Sequence, residues 1–183
     1  MSILIGICLS AASGFRIFVP FLVLSMASFI GGIDFGVSAS WLNSVNILIG
    51  LGFASVLEIT GYYNPWMDNM LDLISTPLSF FAGTTIILTV LPDSNPILKW
   101  IIALICGGVT ALNIRLLSLK ARALSSYFTT GIGNSVVTTI ETISSFVVSI
   151  LALYLPLAAV IFTVSVVLFF LKMIRSFNTK PEN

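Results

Sequence analysis

Two runs of polar side chains stand at helical spacing inside otherwise apolar sequence. Asp68, Asp72, Ser75 and Ser79 fall at i, i+4, i+7 and i+11, and so do Asn134, Thr138, Glu141 and Ser145. On a helix each set lines one face. Lipid cannot satisfy a polar stripe, so both must point at protein or water. Asp72 and Glu141 are the residues with chemistry to offer: two carboxylates sharing a cavity do not both ionise cheaply, so one takes a proton or both hold a cation. Arg16, in the first apolar segment, supplies a counter-charge, and Ser75, Asn134 and Thr138 supply neutral ligands. Glu58, Asp68 and Arg115 complete the candidate ion- or substrate-binding set. Histidine is absent, so proton chemistry falls to carboxylates and a histidine-ligated metal site is excluded. A charge at the centre of a membrane helix costs about 2.5–3.5 kcal/mol on insertion scales. The plainer account of Arg16, Asp72 and Glu141 is a buried ion pair that locks helices. For Glu58 and Asp68 it is a wet, interfacial carboxylate.

The rest of the chain reads as the wall around these groups. Hydrophobic residues make up 57% and charged residues 8% of the 183, with a mean hydropathy of +1.11, against about 25% charged residues in a soluble domain. That composition predicts one all-α, polytopic membrane domain over residues 1–183. Six segments approach the roughly 20 residues that span a bilayer: Ile3–Ile30, Trp41–Tyr62, Asp68–Leu91, Pro96–Leu119, Val136–Tyr154 and Pro156–Lys172. The first has no basic residue ahead of its apolar run and contains Arg16, so it does not read as a secretory signal. Gly6, Ser10 and Gly14 give it a small-residue face for close packing. Cys8 and Cys106 lie in apolar segments and read as small hydrophobes. No catalytic residue and no cofactor are implied, and no basic run would track nucleic acid.

Connections are short except Lys120–Ser135, a Ser/Thr/Gly-rich stretch expected to be an extended polar loop that includes Thr129-Thr130-Gly131-Ile132-Gly133-Asn134. With six spans, Lys120, Arg122, Lys172, Arg175 and Lys180 fall on one side and Lys99 on the other. Both termini are therefore expected in the cytoplasm, in a bacterial inner membrane. Trp41, Tyr62, Tyr63, Trp66, Trp100, Tyr127 and Tyr154 near helix ends suit an interfacial aromatic belt. Leu71-Asp72-Leu73-Ile74-Ser75 is similar to Ile140-Glu141-Thr142-Ile143-Ser144, and Gly14-Phe15-Arg16-Ile17 to Asn113-Ile114-Arg115-Leu116. Two inverted three-helix repeats would produce such likenesses, although the arginine and acidic matches pair different helices.

Three family resemblances bear on these residues. Asn64-x3-Asp68-x3-Asp72 resembles the first aspartate-rich motif of intramembrane prenyltransferases, which implies a metal-dependent enzyme acting on a lipid diphosphate. The second such motif is missing, since Ser145 follows Glu141 at four residues. Gly107-Gly108-Val109-Thr110 with Arg115 resembles the glycine-rich kinks of small trimeric cation channels. Ala12-Ser13-Gly14-Phe15-Arg16-Ile17-Phe18-Val19-Pro20, Pro65-Trp66-Met67-Asp68-Asn69-Met70-Leu71-Asp72 through Thr76-Pro77, and Gly133-Asn134 to Glu141 resemble the bacterial membrane family called domain of unknown function 4126. Gly61-Tyr62-Tyr63 lacks the charged residue expected before Pro65-Trp66, and Ser135 replaces an expected proline. That likeness implies an integral membrane protein and supplies no activity. The expectation carried forward is a small transporter or channel for an ion or small polar solute, possessing an intramembrane carboxylate/arginine site. The alternatives are a structural or accessory subunit and, third, the lipid-diphosphate enzyme. Expected partners are membrane lipids, the transported ion or solute and a second copy of the chain.

Overall fold

The computed structural model of the chain describes residues 2–92, 95–129 and 132–178. Its elements are α1 (Ser2–Phe15), α2 (Phe18–Phe29), a 3-10 turn (Val37–Leu42), α3 (Val45–Tyr62), α4 (Pro65–Val90), α5 (Pro96–Ile102), a π-helical stretch (Ala103–Gly108), α6 (Val109–Thr129), α7 (Ile132–Tyr154) and α8 (Pro156–Asn178). Helix α4 begins where Asn64 accepts the Trp66 N–H and Pro65 occupies the first helical position. The pair Asn95 and Pro96 starts α5 in the same way. Each asparagine satisfies an orphan N–H, and proline has none to lose at that position. Among the described residues, five helices are long and apolar enough to cross a membrane: Val45–Tyr62, Trp66–Val90, Pro96–Tyr127, Gly133–Tyr154 and Pro156–Ser176.

The expected first span, Ile3–Ile30, is instead two shorter helices that run in opposite senses. Gly6 of α1 lies against Ile87, and Ser10 Oγ donates to the Gly83 carbonyl at 3.0 Å. Ser145 Oγ donates to the Ala12 carbonyl at 3.0 Å, while Arg16 reaches Thr142 and Thr138. Helix α1 is therefore antiparallel to α4 and α7. Helix α2 climbs back along α3: the Ile17 and Phe18 N–H groups meet Glu58, Leu22 lies against Gly52, and Ser25 Oγ donates to the Leu42 carbonyl. The two arms form a re-entrant hairpin with Arg16-Ile17 at its tip. At 1.5 Å per residue, arms of 14 and 12 residues reach about 21 and 18 Å, short of a roughly 30 Å hydrocarbon core. Pro20 favours the break, because it has no N–H for the Arg16 carbonyl and its ring crowds that carbonyl.

The hairpin changes the end-to-end arrangement. Antiparallel to α4 and α7, α1 is parallel to α8, and Phe15 stacks on Phe170 with ring centroids 6.0 Å apart. The start of α1 and the end of α8 thus lie at opposite ends of the bundle, not on one side as the six-span reading had it. The expected polar loop Lys120–Ser135 is also mostly helix. Helix α6 continues to Thr129 and α7 begins at Ile132, with Thr130 and Gly131 of the expected unwound entry outside the described residues. Arg16 at a hairpin tip and Arg115 inside a continuous helix occupy unlike positions, so their sequence likeness does not correspond to a shared local structure.

Small residues bring the central helices together. Gly83 of α4 meets Gly107 of the π-helical stretch backbone to backbone, and a Cβ on either would run into the other's carbonyl oxygen. Gly14 sits as tightly against Ala111 and Ile114. The interior cluster of Leu9, Ala12, Phe21, Leu24, Ile86 and Val148 fills the space between the hairpin arms and α4 and α7. Outward faces stay apolar, with Phe53, Leu73, Phe81, Leu157, Ile161 and Leu168 all exposed, as lipid requires.

Candidate functional site

Four helices and the hairpin tip turn their charged side chains to one place. On α4, Asp68, Ser75 and Ser79 are buried and Asp72 nearly so, whereas Met70, Leu73 and Ile74 face outward. On α7, Thr138, Glu141 and Ser145 are fully buried. Both polar stripes thus face inward. Helix α6 adds Arg115, Ser118 and Arg122 at i, i+3 and i+7, and α3 adds Glu58 and Tyr62 at i and i+4. Counted from Pro65 at 1.5 Å per residue, Asp72 lies about 10 Å inside its helix. The cluster is therefore nearer the end of the bundle where α6 meets α7.

Arginines and carboxylates alternate through it. Arg16 donates from Nε to Thr142 Oγ1 at 3.0 Å and from Nη2 to the Thr138 carbonyl at 3.1 Å, and Nη2 stands 3.4 Å from Glu141 Oε2. Ser118 Oγ donates to the other Glu141 oxygen at 2.6 Å. Arg122 is the hub: Nη2 is 2.8 Å from Asp68 Oδ1 and donates to Asp72 Oδ1, while Nη1 is 3.7 Å from Glu141 Oε2. Arg115 donates to the same Asp72 oxygen at 2.6 Å and to the Tyr62 hydroxyl. That hydroxyl donates to Ser75 Oγ at 2.9 Å, and Asn134 Nδ2 donates to Asp68 Oδ2 at 2.7 Å. The Tyr62 ring carries all three guanidinium groups, whose central carbons lie 4.1 (Arg16), 4.5 (Arg122) and 5.2 Å (Arg115) from its centroid. Cation–π attraction is strongest where water is excluded.

Glu58 sits to one side with a different task. Its Oε1 accepts the Ile17 N–H at 2.8 Å and its Oε2 the Phe18 N–H at 3.0 Å. A carboxylate there satisfies donors freed by the helix break and complements the positive end of α2. Glu58 is buried, not a wet interfacial group. Beside it a cleft of about 680 Å³ opens between α3 and α4, lined by Glu58, Thr60, Asn64, Leu71, Ser75 and Leu78 among others.

The network is incompletely satisfied. Arg16 Nη1, Arg115 Nε, and Arg122 Nε and Nη1 are buried nitrogens without a hydrogen-bond acceptor. Asp68 Oδ1 and Glu141 Oε2 also lack a well-formed hydrogen bond, although guanidinium nitrogens stand at 2.8 and 3.4 Å from them. Those two oxygens are compensated by charge rather than by aligned donors.

All nine residues singled out in the sequence lie in or against this assembly, but Asp72 and Glu141 are engaged by arginines instead of standing open to a cation. Among the described residues no group of three or more His, Cys, Asp or Glu is placed to hold a metal. Asp68 and Asp72, the pair matching the aspartate-rich motif, both face Arg122. Sequence reasoning missed Arg122, assigned to a loop, and Tyr62, assigned to the aromatic belt although it is only 1% exposed. The repeat of Arg115, Ser118 and Arg122 on one helical face was the available signal for the first. Tyr62 at four residues from Glu58 was the signal for the second.

Spanning apolar helices around a buried charge network define an α-helical, multi-pass membrane protein. Within that class the chain belongs to the family described as a domain of unknown function, DUF4126, whose profile matches residues 3–176. No curated protein and no solved structure matches it.

Proposed function

We propose that this protein is a small transporter or channel for an ion or small polar solute, with its substrate site in the charge cluster at the hairpin tip. The observation that carries this reading is the set of buried guanidinium nitrogens without a hydrogen-bond acceptor, Arg16 Nη1, Arg115 Nε and Arg122 Nε, beside Arg122 Nη1, which has only an ion-pair contact with Glu141 at 3.7 Å. A network that served only to lock helices would be expected to satisfy its members, because an unpaired polar group in a low-dielectric interior is costly. Support also comes from the helix break beside the site. Interrupted helices in transporters bring backbone groups and helix ends to the substrate near mid-membrane. Charged side chains in such segments tend to mark ion or substrate paths.

A structural or accessory role is the second reading. It is favoured by the arginine partner that Asp68, Asp72 and Glu141 each possess. In the proposed setting, a bacterial cytoplasmic membrane, the α6–α7 connection and the end of α8 face the cytoplasm, since Lys120, Lys172 and Arg175 lie toward that end. The start of α1 then faces the opposite side.

Flux into proteoliposomes separates the two readings. Parent protein and the double variant Asp72→Asn/Glu141→Gln are reconstituted with an internal pH dye and given gradients of sodium, potassium, chloride or acetate. The transporter reading expects a gradient-dependent signal from the parent that is lost in the folded double variant. Parent liposomes no more permeable than empty ones to any of these gradients would favour the accessory role.

A further inference from the structure

The composition of the site points to the chemical class of its ligand. Arg16, Arg115 and Arg122 meet Asp68, Asp72 and Glu141, so the inner cluster is formally neutral as it stands, and Glu58 is occupied by the α2 N–H groups. What remains unused on the arginines is donor capacity, and guanidinium offers donors only. A cation would compete with three arginines for carboxylates that already have partners. An anion would bring further acceptors to guanidinium groups whose donors are not all used.

Asp72 marks where such an anion would sit. One of its oxygens is shared by Arg115 and Arg122. Its side chain, 19% exposed, is the most accessible of the three carboxylates, against 12% for Asp68 and 0% for Glu141. The group that fits between two guanidinium planes in place of a carboxylate is another carboxylate. Adding a negative charge to a neutral buried cluster is unfavourable unless a positive one enters with it.

Resting on the transporter reading above, we infer that the substrate is a small monocarboxylate, which takes the place of Asp72 between Arg115 and Arg122 while Asp72 accepts one proton from solution. The only covalent bond formed is that O–H, and the site stays neutral. Arg115 and Arg122 on α6 meet Asp72 directly; Asp68 on its own helix shares Arg122 with it and Tyr62 on α3 shares Arg115, while Glu141 on α7, Arg16 at the hairpin tip and Glu58 on α3 belong to the surrounding network at one further remove. Of the carboxylates among them, Glu141 also accepts from Ser118, Asp68 from Asn134 and Glu58 from backbone N–H groups, whereas the Asp72 side chain is held by Arg115 and Arg122 alone among the described residues, so it is the one that can yield its place to another carboxylate.

The test is ligand-induced thermal stabilisation of the full chain in phosphatidylcholine nanodiscs, with sodium acetate compared with sodium chloride at equal ionic strength between pH 6 and 8. Acetate, and not chloride, should raise the melting temperature, and its apparent affinity should improve by about tenfold for each pH unit lowered, as uptake of one proton requires. Asp72→Asn, which carries the protonated shape permanently, should bind acetate at pH 8 more tightly than the parent and with no pH slope. A dodecanoate arm identifies the source of the carboxylate. Binding of dodecanoate alone assigns it to a membrane fatty acid, and binding of acetate assigns it to the aqueous phase. Binding of acetate with the proton slope sustains the proposal, and binding of dodecanoate alone overturns it as to a small substrate. No carboxylate-specific stabilisation, or one that ignores pH in the parent, overturns it, and the parent alone decides this if Asp72→Asn does not fold. Stabilisation by sodium or potassium over choline would overturn the carboxylate assignment yet leave the transporter reading intact. No response to any ion would remove both.

Discussion

Tyr62 shows how much one side chain contributes when several charges share it. Its ring faces three guanidinium groups and its hydroxyl links Arg115 to Ser75. Tyr62→Phe keeps the π-face and removes the hydroxyl, for an expected loss of about 1–3 kcal/mol as buried partners go unsatisfied. Tyr62→Leu removes both and should cost more, because desolvated cation–π contacts are worth about 2 kcal/mol or more. Melting of the two variants in detergent checks the order, and equal losses would mean the ring contributes nothing. Arg16 and Glu141 make the complementary case. Arg16→Ala leaves Glu141 with Ser118 and a more distant Arg122, and breaking a buried pair costs about 3–5 kcal/mol. Adding Glu141→Gln should recover part of that loss, so a double variant less stable than Arg16→Ala would disprove their coupling.

At the scale of elements, the hairpin and the glycine contact are the two structures the bundle depends on. Glu58 holds the first N–H groups of α2 with both oxygens, which lets a helix begin inside the membrane without water. Glu58→Gln keeps one acceptor oxygen and Glu58→Ala keeps none. Hydrogen exchange at the Ile17 and Phe18 amides should therefore rise slightly in the first and strongly in the second. Protection unchanged in Glu58→Ala would show that α2 is held by its packing alone. The Gly83–Gly107 contact allows α4 and the α6 rod to touch at their backbones, and the π-helical turn lies in the same stretch. Such turns are frequent at functional sites. Gly107→Val has to push α4 away and should destabilise by at least the roughly 1–3 kcal/mol typical of overpacking. A melting temperature equal to the parent's would mean the two helices separate without penalty.

For the whole molecule, the hairpin replaces the first of six expected spans by two shorter helices, ahead of five that are long and apolar enough to cross a membrane among the described residues, and this can be observed from outside. Single cysteines at Ser2, Asn95 and Ser135, in a background without Cys8 and Cys106, should sort into two groups under a membrane-impermeant thiol reagent. Ser2 and Asn95 share one face, and Ser135 takes the other. Labelling of Ser2 together with Ser135 would restore a continuous first span and discard the hairpin. The aromatic belt provides a static check on the same frame. Trp41, Tyr63, Trp66, Trp100, Tyr127 and Tyr154 remain exposed near helix ends, and Tyr62 alone among the belt residues has turned inward.

Class and the inward faces of α4 and α7 were legible in the residues, because each depends on a local period and on the solvent a side chain tolerates. The stripes from Asp68 to Ser79 and from Asn134 to Ser145 had one stable orientation in lipid, whatever surrounded them. The break at Arg16 was not legible in hydropathy, which sees only an apolar run from Ile3 to Ile30. Its cause is Pro20 combined with Glu58, a residue 41 positions from Ile17 that offers its carboxylate to the freed backbone. Arg122 was lost for a related reason: a Ser/Thr-rich stretch reads as a loop until its arginine finds carboxylates on two other helices. Which charges meet is a property of helix packing over long sequence separations, set here by glycines that let backbones touch, and no local pattern encodes it. Tertiary structure therefore decided the pairing of Arg16 with Glu141, the position of Arg122 at the hub and the reversal of the chain at the hairpin tip.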